Sequence, residues 1–207
     1  MSSIVYRSVT TALAMAALAA ISVQPAAADV AYQITIDTSS VSGTSGFLDF
    51  QFNPGNAATQ AVTAKIMNFS TNGTLNGVPM ITGDVASTLP GTVTFQNDTP
   101  LNEYFQGFNY GTTISFLLVL SGPALGSPNG TMAGSTFGVG LYDSGQNPIL
   151  TNQGNTTGFA GEVDIHSDGT TTATAFPTAT MGPSVVTLTS TFPPDILFLF
   201  LYFFYST

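Results

Sequence analysis

The chain has 207 residues, with eleven acids, two Lys or Arg and a net charge of -9. A field of that sign repels phosphate backbones and anionic lipid, which argues against nucleic acid and against electrostatic membrane docking. The absence of cysteine excludes a disulfide scaffold, thiolate metal sites, iron–sulfur clusters and a cysteine nucleophile.

In chain order, residues 1–28 read as an export signal. Arg7 supplies a positive n-region, residues 11–23 an apolar h-region, and Ala26 and Ala28 a small-residue cleavage site before Asp29. Its removal leaves one base, Lys65, against the eleven acids. The remaining chain of about 180 residues is long enough to bury a core without staples.

A half-buried strand opens the domain at residues 32–38, where Tyr32, Ile34 and Ile36 alternate with Gln33, Thr35 and Asp37. A second follows at 47–52, with Leu48, Phe50 and Phe52 on one face and Phe47, Asp49 and Gln51 on the other. Phe47 is expected at the rim or under a loop. Residues 57–69 form a third β-like segment, because threonines and the missing helix cap outweigh its alanines. Asn72-Gly73 and Asn76-Gly77 signal turns.

Residues 83–89 and 91–95 are short strands divided by Pro90, and 101–109 is aromatic-rich. The most strand-like run is 112–120, TTISFLLVL. Ile114, Phe116, Leu118 and Leu120 share one face and Leu117 and Val119 the other, which predicts a central strand covered on both sides. The return strand 135–142 carries Gly138 and Gly140 on one face, implying close approach of a neighbour or a bulge. Strands are also expected at 159–165 and 185–188.

No 3.6-residue period occurs beyond the signal. The expected fold is therefore all-β, an antiparallel β-sandwich of jelly-roll type over residues 29–168, with a closed barrel as the alternative. Residues 169–195 read as a Thr/Pro-rich linker, and 196–207 as a short hydrophobic segment. Its ten apolar residues are half the span of about 20 that a bilayer requires. A buried final strand, an anchor stub and an altered reading frame are the three readings, of which a damaged or truncated anchor region is favoured.

Chemistry is sparse. His166 with Asp164 and a serine would make a triad, but no Gly-x-Ser-x-Gly motif supports it. One histidine and no cysteine leave zinc short of ligands. Asp49, Glu103, Glu162 and Asp164 are candidates for the paired acids of a glycosidase. Asp143, Asn147 and the Asp164–His166–Asp168 region offer oxygen ligands for calcium, although solvated turn acids are the favoured reading. Tyr32, Tyr104, Tyr110 and Tyr142 are candidate sugar platforms, with core packing as the plainer role. Asn68, Asn72, Asn97, Asn129 and Asn155 stand in Asn-x-Ser/Thr sites. No catalytic, cofactor-binding or metal-binding residue is assigned, and no cofactor is expected.

Several stretches together resemble one family of bacterial PEP-CTERM proteins: SGTSGFLDFQFNPG at 42–55, VTAKIMNF at 62–69, Gly83-Asp84-Val85, SFLLVLSGPA at 115–124, Gly134 to Phe137 and LYDSGQNPIL at 141–150. The resemblance implies secretion, exosortase processing of a C-terminal sorting signal, and a place at the cell surface or in extracellular polysaccharide. The chain departs from the pattern in having Phe192-Pro193-Pro194-Asp195 where Pro-Glu-Pro would stand, and in lacking a terminal basic cluster. The expected function is a non-enzymatic structural, matrix-associated or carbohydrate-contacting protein. Its expected partners are extracellular polysaccharide or other matrix components and membrane sorting machinery. A polysaccharide hydrolase with paired carboxylates and a calcium-stabilised adhesion module are the alternatives.

Overall fold

The computed structural model describes residues 29–130, 133–151, 155–176 and 187–191. The expected signal peptide and hydrophobic tail lie outside the described residues. The described chain is a sandwich of two antiparallel sheets. One sheet runs β13 (Thr187–Thr191), β1 (Val30–Asp37), β8 (Thr113–Ser121), β3 (Thr63–Thr71), β6 (Val93–Gln96), β5 (Val85–Ala86). The other runs β12 (Thr171–Ala175), β11 (Phe159–Ile165), β9 (Ser135–Asp143), β2 (Ser45–Pro54), β7 (Glu103–Asn109), β4 (Thr74–Thr82), and β10 (Pro148–Ile149) pairs with β9.

The β8 strand is interior to the six-stranded sheet, between β1 and β3. Ile114, Phe116, Leu118 and Leu120 are wholly buried, each contributing about 1.5–3 kcal/mol from apolar burial. Leu117 and Val119 correct the expectation of two covered faces. They lie half-buried on the outer face of the sandwich, where no further layer packs among the described residues. A two-layer fold leaves one face of every sheet at the surface.

Aromatic side chains join the layers. Phe50 of β2 meets Phe116 of β8 edge-on at 5.1 Å, and Phe95 of β6 meets Phe137 of β9 at 6.3 Å. Such geometry sets the positive ring edge against a negative ring face. Two buried amides tie the loops to this core. Asn97 accepts from the Val62 N–H and donates to the Gln60 carbonyl and Ser135 Oγ. Asn102 donates to the Phe52 carbonyl and accepts from the Asp84 N–H.

Two segments differ from expectation. Residues 74–82 were expected to be turn-rich, yet they form β4 at the sheet edge. Asn72-Gly73 makes the β3–β4 turn, while Asn76-Gly77 opens a bulge inside β4, with register lost between Asn76 and Met80. The segment expected as a linker contributes β12, and β13 overlaps the strand expected at 185–188. Its β-branched threonines suit a pleated edge as well as they suit a tether.

Candidate functional site

Alternation places one residue in two of each strand on the outer face of the seven-stranded sheet. On β2 these are Phe47, Asp49, Gln51 and Asn53, while Leu48, Phe50 and Phe52 face the core. On β7 they are Glu103 and Phe105, on β9 Thr136, Gly138, Gly140 and Tyr142, and on β11 Glu162 and Asp164. All four acids named as a possible pair thus share one face.

The two glycines of β9 make room for rings. A Cβ on Gly138 would stand 2.4 Å from the Phe159 ring, and one on Gly140 2.8 Å from the Tyr142 ring. Those rings therefore occupy the space over the two glycines. Asp49 sits directly between Gly140 and Phe105 in the register. Phe47 and Phe105 stack at 4.8 Å, and Phe105 and Tyr142 are 6.0 Å apart. The result is a half-buried aromatic row with Asp49 in its lee, only 1% exposed.

The acids are not evenly spread. Gln51 stands opposite Glu103. Its Nε2 donates to Asp49 Oδ2 at 2.8 Å and reaches Glu103 Oε1 at 3.3 Å. Asn53 Nδ2 donates to Gln51 Oε1, which fixes the amide with its nitrogen toward the acids. Sharing one nitrogen keeps the two bonded carboxylate oxygens no more than about 6 Å apart, a limit that admits the spacing of about 5–5.5 Å used by a retaining pair. Glu162 shares their row but lies three strands from Glu103, about 14 Å at the inter-strand spacing. Asp164 accepts from Thr136 Oγ1 at 2.6 Å.

Burial raises the Asp49 carboxyl from 3.8 to about 7; the Gln51 bond opposes this and the Glu103 charge adds to it. Its Oδ1 is buried without a hydrogen-bond partner. An orphaned acceptor of this kind costs about 1–3 kcal/mol, which calls for a compensating role. The Tyr142 hydroxyl is pushed up to about 12, first by burial and then by the charges of Asp49 and Glu103.

The remaining candidates are placed elsewhere. His166 Nε2 bonds Thr172 Oγ1 and Asp164 accepts from Thr136, so the His166–Asp164 bond that a triad needs does not form. Asp143 Oδ1 accepts from the Gly145 and Asn147 N–H groups, and Asp168 Oδ1 from Thr170, as acids in ordinary turns do. Among the described residues no three His, Asp or Glu side chains converge as metal ligands. Tyr32, Tyr104 and Tyr110 are buried in the core, and only Tyr142 of the four tyrosines lies on the outer face. Asn97 is buried with its amide fully engaged and Asn155 donates to the Phe159 carbonyl, whereas Asn68 and Asn72 are exposed.

Gln51, Phe105 and Phe159 carry the site without having been singled out for it from the sequence. The alternation in FLDFQF put Gln51 on the face of Asp49, but which strand lies alongside is decided by long-range pairing. Comparison with protein-family models, with curated proteins and with solved structures finds no match to this chain.

Proposed function

We propose that the protein is an exported, non-enzymatic domain that contacts extracellular polysaccharide through the outer face of its seven-stranded sheet. The observation that carries this reading is the aromatic row Phe47, Phe105 and Tyr142 beside Gln51 and Glu103. Rings offer the flat apolar surface on which a pyranose stacks, and the amide and carboxylate supply directed bonds to its hydroxyls. The resemblance to PEP-CTERM proteins and the signal-like residues 1–28 support an extracellular setting. Electrophoresis through gels containing dissolved polysaccharides tests the reading. Retardation that Phe105→Ala abolishes is the expected result. Unchanged mobility in every polysaccharide contradicts it.

The Asp49–Glu103 pair favours a second reading, hydrolysis of a glycosidic bond. The protonated Asp49 would serve as the acid and Glu103 as the nucleophile or base. Release of reducing ends by the native protein, and its loss in Glu103→Gln, would decide for this reading over contact without turnover.

A further inference from the structure

We propose that the corner formed by Asp49, Gln51 and Glu103 receives a primary ammonium group, so that the ligand is an amino-sugar polymer rather than a neutral or acidic one. The inference rests on the reading of this face as polysaccharide contact and specifies its chemistry.

Three observations converge on it. First, the corner lacks donors. One amide nitrogen, through its two N–H groups, serves both carboxylates, and Asp49 Oδ1 receives nothing although it is almost wholly buried. An ammonium brings three N–H donors, enough to reach Asp49 Oδ1 as well as Glu103, and a charge that lets Asp49 release its proton to solvent on binding. A sugar hydroxyl brings one donor and leaves the charge uncompensated.

Second, among the described residues the face carries no lysine or arginine. Asp49, Glu103, Glu162 and Asp164 all project from it, while Lys65, the one lysine, lies on the outer face of the opposite sheet. A polymer of uronic acids would be repelled, and a cationic polymer steered in.

Third, the corner is walled by rings. Phe105 stands beside Asp49, and the Tyr142 ring lies across Gly140 on its other side. A cation close to such ring faces gains the attraction of their negative π clouds. Both rings are partly exposed, and the proposal requires the Tyr142 ring, which covers Gly140 beside Asp49, to turn aside as the ligand enters.

Calorimetric titration of the full chain tests this with three tetrasaccharides of equal length: β-1,4-linked glucosamine, its fully N-acetylated form and a uronic acid tetramer. The glucosamine tetramer is expected to bind about tenfold or more tightly than the acetylated one, as one charge-assisted bond pair warrants. Its affinity should fall with added salt. Glu103→Gln should weaken it about tenfold, while the charge-matched Asp37→Asn on the opposite sheet should not. Equal binding of the amino and acetylated tetramers overturns ammonium recognition and leaves polysaccharide contact standing. Binding of neither overturns both. Equal weakening by Glu103→Gln and Asp37→Asn places recognition in the overall charge and overturns the corner as the site.

Discussion

In the folded chain Asp49 keeps a proton over a pH range in which the unfolded chain releases it, because its carboxyl is pushed from 3.8 to about 7. Its contribution to stability is therefore complete below 3.8 and is lost as pH rises through about 7. The loss amounts to at most about 4 kcal/mol at the linkage rate of about 1.4 kcal/mol per pH unit. Thermal unfolding between pH 4.5 and 8 should show the native protein losing stability and Asp49→Asn holding nearly level. Burial also raises Glu162, and that effect is common to both proteins. Asp37, Asp143 and Asp168 are lowered by bonds within their turns, so their contributions disappear only below 3.8, outside this window. A fall with pH that is the same in both proteins would contradict the burial of Asp49. Asn97 has a different residue-scale signature. Asn97→Ala strips partners from the Val62 N–H, the Gln60 carbonyl and Ser135 Oγ. Urea unfolding should show a loss of about 3 kcal/mol, the cost of orphaned buried polar groups.

At the scale of single elements, β9 is the strand most shaped by its neighbours. The alternation in STFGVGLY made a close approach over Gly138 and Gly140 readable, and the Phe159 and Tyr142 rings are what approach. Gly138→Ala should displace Phe159 and cost about 1–3 kcal/mol in urea unfolding, the usual penalty for overpacking; a neutral effect would mean that the ring is not held there. The β8 and β2 strands were equally legible, because period-two alternation of large apolar residues survives any strand order. The β4 strand was not. Its TLNGVPMIT holds an Asn-Gly pair and a proline, which ordinarily mark turns and here mark a bulged edge. Exposed Val78 and Met80 lie along that edge, giving it none of the alternation that identifies a buried strand.

For the whole molecule, the class of fold followed from short alternating runs between Gly, Asn and Pro turns, but the assembly of the sheets did not. The β1 strand pairs with β8, some 80 positions on, and with β13 near the other end of the described chain. Such pairings depend on how both sheets close over one core, which no local pattern encodes. The candidate site was hidden for the same reason. Asp49 and Glu103 could each be placed on a strand, and only the β2–β7 register brings both to Gln51. The same architecture orders local stability. Amide exchange should be slowest in β8, buried on its inner face and paired on both edges, and fastest in β4, β5, β12 and β13, the edge strands among the described residues. Exchange in β8 as fast as in those edges would contradict the sandwich core. The claim that the outer face of the seven-stranded sheet is the contact surface has one most direct test, an NMR titration of the labelled protein with the glucosamine tetramer. The account predicts shifts concentrated at Phe47, Asp49, Gln51, Glu103, Phe105 and Tyr142. Shifts concentrated around Lys65, Leu117 and Val119 on the opposite face, or none at saturating tetramer, would contradict it.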